Sequence, residues 1–235
     1  MYISDVPGSV QDNDLTRLLE NTSMRDNLRE YAAQMQRYNA GIQEIKTKLE
    51  ILDAEFSTRY EYNPIHHIES RLKTTSSILN KLQRRNLPIS LNSIRSNLYD
   101  VAGVRVICNY IDDVYRVADL LTCQNDIHLI SSRDYIKEPK ENGYRSLHLV
   151  LEVPVYLAKG PINVVVEVQL RTIAMDFWAS LEHKLRYKNE FEVSEELRRR
   201  LQICAEAIAE VDVEMQDIHQ VLQNGDDEHN HSGIA

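Results

Sequence analysis

Glu167, Gln169 and Arg171 occupy alternate positions in the run Val164-Val-Val-Glu-Val-Gln-Leu-Arg171. Read as a β-strand, that run places the three polar groups on one face and Val164, Val166, Val168 and Leu170 on the other. A carboxylate, an amide and a guanidinium on an otherwise apolar strand cost desolvation energy unless each meets a partner. They are either a satisfied network at the edge of a sheet or one wall of a polar site. A second run, Asp134 to His148, gathers Lys137, Lys140 and Arg145 around Gly143-Tyr144, an aromatic ring beside cations where the backbone can bend. A third, Glu69 to Lys81, carries Arg71 and Lys73 into Thr74-Thr-Ser-Ser77, with Lys81 four residues after Ser77 and Arg84 close behind. On a helix, Ser77 and Lys81 share a face, and the hydroxyl-rich first turn offers orphan amides and the positive end of the dipole. That arrangement suits phosphate, although a capped, solvated surface helix would have the same residues. Asp100 precedes the apolar run Val101 to Cys108, as a turn residue or as a carboxylate exposed at the end of a strand.

Charge distribution points the same way. The chain of 235 residues has a formal net charge of −9, yet Arg71 to Arg85 contains five cations and no acid. The stretch from Phe191 onward holds eleven Asp or Glu against three Arg. An acidic chain with one local cationic stretch favours a focused anion site over general nucleic-acid binding. Seven glycines with neither a P-loop nor a dinucleotide-binding glycine turn mean that side chains must hold any nucleotide phosphates. Cys108, Cys123 and Cys204 have neither metal spacing nor the look of a disulfide framework, which fits a reduced cytoplasmic setting. No apolar run is long enough to span a bilayer. His66-His67 lacks a second pair at ligand spacing and reads as structural or solvated.

These groups need a scaffold. The pattern predicts strands near Ile65–Lys73, Val101–Asn109, Ile127–Tyr135, Arg145–Val153 and Asn163–Leu170. Helices are expected at Thr75–Arg85, Leu91–Leu98, Asp112–Cys123 and Thr172–Lys188. Gly160-Pro161 is expected to turn the last two strands into an antiparallel pair. The fold class is therefore α/β (α+β), a mixed sheet of about five strands surrounded by helices. Leu28, Tyr31, Met35, Tyr38, Ile42, Ile45, Leu49, Leu52 and Phe56 make a heptad seam in an N-terminal arm, with Gly41 expected to mark a turn between two helices. Leu197 to Leu222 repeat the pattern in a C-terminal arm. Such stripes pack on each other, on the same chain's core or on another subunit. The organisation expected is an N-terminal helical arm over 1–62, a core over 63–189, a C-terminal helix over 190–223 and a polar, disordered tail over 224–235.

Taken together, Arg71 to Arg84, Asp100-Val-Ala-Gly103-Val-Arg105, Asp134 to His148 and Glu167-Val-Gln-Leu-Arg171 resemble the synthetase motifs of the RelA/SpoT family, in the same order. Tyr62 to Arg71 is similar to the RelP-like branch of stand-alone small alarmone synthetases. The resemblance covers roughly 63–189. It implies a nucleotidyltransferase-like core that transfers the β,γ-pyrophosphate of ATP to the 3′-hydroxyl of GDP or GTP, releasing AMP. By the same resemblance, Lys73, Ser77, Lys81 and Arg84 bind the ATP phosphates, and Arg71 and Arg105 sandwich the adenine. Asp100 and Glu167 bind Mg²⁺, and Glu167 also activates the attacking hydroxyl. On the acceptor side, Tyr144 stacks on guanine; Arg133, Lys140 and His148 face phosphates, with Gln169 beside them and Asp176 reading the guanine edge. His148 could instead be a hydrogen-bonded core histidine, and Arg105 a structural ion pair. The helical arms would build a homotetramer. By the same resemblance, no hydrolase domain is expected ahead of the core. Two other readings keep the pocket: a pyrophosphokinase acting on the 3′ end of tRNA, which would be expected to carry a basic patch, and a non-catalytic nucleotide- or RNA-binding regulator.

Overall fold

The structure is a computed structural model that describes residues 22–188 and 194–231, with side chains over 25–185 and 194–223. The chain divides into two units, residues 1–37 and 38–235. In the first, the described residues are all helical. The second holds five strands, β1 (Ile65–Leu72), β2 (Ala102–Cys108), β3 (His128–Asp134), β4 (Leu147–Leu157) and β5 (Gly160–Thr172). Its helices are the remainder of α1 (Thr22–Arg59), then α2 (Thr75–Arg84), α3 (Leu91–Asn97), α4 (Ile111–Thr122), α5 (Ile173–Lys188) and α6 (Glu195–His231).

The strands form one sheet in the order β1-β2-β5-β4-β3, with β2 and β5 parallel and every other pair antiparallel. This is the mixed α+β sheet expected. The alternation in β5 is what gives the sheet two different faces. Val164, Val166, Val168 and Leu170 are buried, while Glu167 and Gln169 are half-buried on the opposite side. Val104, Val106, Leu149 and Leu151 extend the apolar face across β2 and β4. Fully burying an aliphatic side chain of this kind contributes roughly 1.5–3 kcal/mol relative to exposure, so this face anchors the sheet and frees the other for chemistry.

Two expectations about glycine are corrected. Gly41 does not turn the chain: α1 is one continuous helix through it. A Cβ at Gly41 would lie 2.6 Å from Val164 Cγ1, so this glycine lets the helix backbone approach β5. Tyr38, Ile42, Ile45, Leu49 and Phe56 of the heptad seam are buried within this same chain. The β4–β5 turn is Ala158-Lys159, not Gly160-Pro161, because Leu157 pairs with Gly160 and Tyr156 with Pro161. Gly160 instead supplies the positive φ of 112° that closes the two-residue loop.

At the other end, α6 continues to His231, so the helix extends into the stretch expected to be a disordered tail. Asn, Asp, Glu and His each carry at most about 0.7 kcal/mol of helix penalty, and Gly225 adds about 1 kcal/mol. The first 21 residues of the N-terminal arm expected over 1–62 lie outside the described residues.

Candidate active site

The polar face of the sheet is a register pattern before it is a pocket. Glu69 of β1 pairs with Arg105 of β2, Arg105 with Gln169 of β5, Gln169 with His148 of β4, and His148 with Arg133 of β3. Cross-strand partners share a face, so one row of five polar residues crosses the whole sheet. One step along, Arg71, Gly103 and Glu167 make a second row. A cleft of about 810 Å³ lies over these rows, lined by Glu69, Arg71, Lys73, Asp100, Arg105, Glu167, Gln169, Arg171 and Tyr144, with His183 and Lys184 from α5. A second cavity of about 570 Å³ shares Arg71, Lys73 and His183 and adds Ser77, Asn80 and Arg84.

At one end of the cleft the chain leaves β1 and enters α2. Lys73 N–H donates to Val101 C=O at 2.9 Å, extending the β1–β2 pairing and bringing Lys73 beside Asp100. Thr74 caps α2, accepting from Ser77 N–H at 3.3 Å and donating its hydroxyl to Ser77 Oγ at 2.8 Å. Ile78 and Leu82 bury the inner face of α2, and Lys81 reaches Asp100. Asp100 Oδ2 thus accepts from Lys73 Nζ at 2.5 Å and from Lys81 Nζ at 2.6 Å. Burial pushes the Asp100 carboxyl up, but the two ammonium groups overcome it and hold it below the usual carboxylate range. Its other oxygen, Oδ1, is buried without a hydrogen-bond partner among the described residues, as is Arg105 Nε. Arg84 is exposed at the end of α2, in the second cavity.

Glu167 occupies the middle. Its Oε2 accepts from Gln169 Nε2 at 2.8 Å, and its Oε1 lies 3.3 Å from His148 Nδ1. Burial again pushes the carboxyl up; His148 and Gln169 more than offset that and leave it low, against a contribution from Asp100 that raises it. The two carboxylates are therefore close enough to feel each other and both are held in the charged form.

At the far end, Tyr144 Oη is 2.8 Å from His148 Nε2 and accepts from Arg171 Nη2 at 2.5 Å. Lys140 Nζ lies 4.5 Å from the Tyr144 ring centre and 4.4 Å from that of Tyr135. His148 is not sealed in an apolar core; it bridges the tyrosine and the glutamate. Arg133 is exposed on β3, in register beside it.

Asp176 lies just inside α5. Its Oδ1 is 3.1 Å from Arg171 Nη1 and 3.6 Å from Arg105 Nη1, and Arg105 also meets Glu69 at 3.0 Å. Both Asp176 and Arg105 are thus ion-paired within the protein.

The structure therefore gathers Arg71, Lys73, Asp100, Arg105, Tyr144, Glu167 and Gln169 along one cleft, with Ser77 and Arg84 in the adjoining cavity. The alternation places Arg171 on the polar face with Glu167 and Gln169 but gives it no role. Arg171 is 5% exposed and donates to Tyr144, Gln169, Asp176 and Ser146, so it ties the site together. His183 and Lys184 were also missed; His183 falls seven residues, about two helical turns, after Asp176.

Asp100 and Glu167 suit a divalent cation. Mg²⁺ takes one or two carboxylates and fills its remaining positions with phosphate and water oxygens. The unpartnered Asp100 Oδ1 is a hard oxygen of that kind. Among the described residues there is no group of three or more His, Cys, Asp or Glu arranged to hold a metal unaided, so an ion here would also lean on the nucleotide.

Known proteins are similar to this chain in sequence and in fold. The family profile described as the region found in RelA/SpoT proteins matches residues 70–192. The GTP pyrophosphokinase YwaC of Bacillus subtilis is 42% identical over 178 residues, covering 76% of this chain and 85% of the relative. The GTP pyrophosphokinase YjbM of the same organism is 38% identical over 186 residues, covering 79% and 87%. Small alarmone synthetase 1 of Bacillus subtilis, solved with its product pppGpp, superposes with a TM-score of 0.77 at 36% identity, covering 83% of this chain and 98% of that one. On the sheet order, the ordered motifs and these matches, the chain belongs to the RelA/SpoT family and is a small alarmone synthetase by sequence and fold.

Proposed function

We propose that this protein is a GTP pyrophosphokinase that moves the β,γ-pyrophosphate of ATP onto the 3′-hydroxyl of GDP or GTP, forming a guanosine tetra- or pentaphosphate and AMP. The observation that carries the reading is the position of two buried atoms without a partner among the described residues, Asp100 Oδ1 and Arg105 Nε, in residues that line the same cleft as Glu167. Buried polar atoms are nearly always satisfied in folded proteins, and a bound nucleotide with its metal supplies partners for both.

ATP lies at the α2 end. Lys73, Lys81, Arg84 and Ser77 hold its phosphates by charge and hydroxyl donation, in place of a glycine-rich loop. Arg71 and Arg105 present planar guanidinium groups to the adenine. The acceptor lies at the Tyr144 end, its guanine on the aromatic ring and its phosphates toward Lys140, His148 and Arg133. Gln169 and Asp176 border it. Glu167, held charged, orients the 3′-hydroxyl and accepts its proton as the oxygen attacks the β-phosphorus in line. Mg²⁺, bound by Asp100, Glu167 and phosphate oxygens, would supply neutralisation of the charge that builds in transfer. Positioning and electrostatics do most of the work in such reactions.

A homo-oligomer, a tetramer by family resemblance, accompanies this reading. Ile173, Phe177, Leu181 and Leu185 form an exposed apolar stripe every four residues along α5. Val211, Met215, Ile218 and Leu222, spaced four, three and four apart, form a second exposed apolar stripe on α6. No described helix is long and apolar enough to cross a membrane, and a cytoplasmic location fits the three free cysteines.

The test incubates purified protein with Mg²⁺, γ-labelled ATP and GDP or GTP, then separates the nucleotides. Label in a guanosine tetra- or pentaphosphate, with equimolar AMP, supports the synthetase. Label in added tRNA alone would make it an RNA-modifying enzyme, and no transfer would leave a binding module.

A further inference from the structure

We infer that the C-terminal helix α6 positions the acceptor half of the site, with Ala205 as the positioning residue. This rests on the reading that Tyr144 receives the acceptor base.

The loop carrying Tyr144 is folded tightly on itself. Gly143 N–H donates to Lys140 C=O at 2.8 Å, and Lys140 N–H to Tyr144 C=O at 3.2 Å. The bend needs Gly143 at φ 84°, a left-handed conformation that costs other residues energy. Gly143 is also the point at which the loop meets α6. A Cβ there would lie 2.4 Å from Ala205 Cβ, so the two backbones pass as closely as a glycine and an alanine allow. Arg145 then clips the loop down, its Nη1 donating to Gly143 C=O and to Ala205 C=O, each at 3.3 Å. Tyr144 itself packs against the buried cluster of Trp178, Ala179 and Ala205.

The surface beneath the loop is fixed. Trp178 Nε1 donates to Leu201 C=O at 3.1 Å, Thr172 Oγ1 to Asp212 Oδ2 at 2.7 Å, and Gln216 Nε2 to Asp112 Oδ2 at 2.9 Å. These bonds tie α6 to α5, β5 and α4 on both sides of Ala205. The contact with the loop is therefore short-range and stiff, and a change in side-chain volume at 205 is transmitted to Tyr144. The cavity at the ATP end is lined by Arg71, Lys73, Ser77, Asn80, Gln83 and Arg84, with His183 of α5, and none of these belongs to the cluster around Ala205.

Ala205→Leu should raise the KM for GDP and GTP by about tenfold while the KM for ATP stays within about twofold. An unchanged acceptor KM, or an equal rise for ATP, would overturn the inference. Because Ala205→Leu could fail to fold, a reciprocal pair supports the test. Gly143→Ala introduces the Cβ that meets Ala205, and Ala205→Gly removes its counterpart. Partial recovery of the acceptor KM in Gly143→Ala/Ala205→Gly, relative to Gly143→Ala alone, identifies the contact with α6 as the cause. No recovery assigns the whole effect to backbone strain in the loop and ends the proposal. Tyr144→Ala separates the two layers. If it leaves the acceptor KM unchanged, the underlying placement of the acceptor is wrong; if it raises that KM and Ala205→Leu does not, only the role of α6 fails.

Discussion

His148 Nδ1 lies 3.3 Å from Glu167 Oε1. The other nitrogen of the same ring lies 2.8 Å from Tyr144 Oη, so one imidazole joins the central carboxylate to the aromatic end of the cleft. Burial alone would raise the Glu167 carboxyl, and His148 is the first group that reverses it. In His148→Leu the burial stays and the counterweight goes, so the Glu167 pKa must rise. A raised carboxyl pKa leaves less of the ionised form at any acidic pH. The acid limb of the kcat/KM profile should therefore move to higher pH, together with a lower kcat. A pH–rate profile that keeps its acid limb in place would disconnect His148 from Glu167.

Asp100→Asn should abolish most turnover, by about 10²–10⁴-fold if the carboxylate helps stabilise transfer. The amide would still fit beside Lys73 and Lys81 but could not ligate a cation as well. The same substitution makes a stability prediction of opposite kind. Because Asp100 is held below its ordinary value of 3.8, its contribution is fully present above that pH and is lost as the pH falls through the lower folded value. The Asn variant should be less stable at neutral pH and should lose less on acidification below 3.8. Parallel denaturant titrations at neutral and acidic pH would show whether the gap between the two proteins narrows.

Gly41 allows a clear contest between two magnitudes. Replacing glycine by alanine inside a helix gains about 1 kcal/mol of intrinsic propensity. Forcing a methyl group into a packed contact costs about 1–3 kcal/mol, and here the new Cβ would sit 2.6 Å from Val164 Cγ1 and 3.1 Å from Val166 Cγ2. Overpacking should win, and Gly41→Ala should unfold at lower urea concentration. In a Val164→Ala background the shortest contact is removed while Val164 Cβ stays 3.0 Å and Val166 Cγ2 3.1 Å from the new methyl, so the same change should cost less. An equal cost in the two backgrounds would mean that α1 can shift away from β5.

The sheet and most of the site were legible because a period of two is easily read and forces side-chain direction. Glu167, Gln169 and Arg171 fall on one face in the structure as the alternation required. The errors share a cause, which is that local chemistry does not say what a residue packs against. Gly41 looks like a turn in sequence, but its neighbour is Val164, more than a hundred positions away. Gly160-Pro161 looks like a turn, yet strand pairing continues through both residues. The ligand roles expected of Asp176 and Arg105 stand beside the fold without conflict, but only the fold shows the two 3.6 Å apart. His183 reaches the cleft through helical spacing from Asp176, on a helix that composition alone gave no reason to place over the sheet.

Arg171 is the residue whose replacement should disturb both stability and acceptor binding. Its side chain is 6% exposed, and it donates to Ser146 Oγ, Asp176 Oδ1, Tyr144 Oη and Gln169 Oε1. Removing one partner of a buried ion pair costs about 3–5 kcal/mol. Arg171→Met should fall toward the lower end of that range, because Asp176 keeps Arg105 at 3.6 Å and Ser180 at 3.3 Å. Arg171→Lys retains the charge but cannot reproduce a planar fork that serves four acceptors at once. It should fold, with a smaller fall in the denaturation midpoint, and should show a raised KM for the guanine nucleotide because Tyr144 and Gln169 lose a common donor. ATP binding should change less, since Arg171 contacts none of Lys73, Ser77, Lys81 or Arg84. Denaturation midpoints and steady-state kinetics on the two variants check both parts; a wild-type acceptor KM in Arg171→Lys would confine Arg171 to holding the fold together.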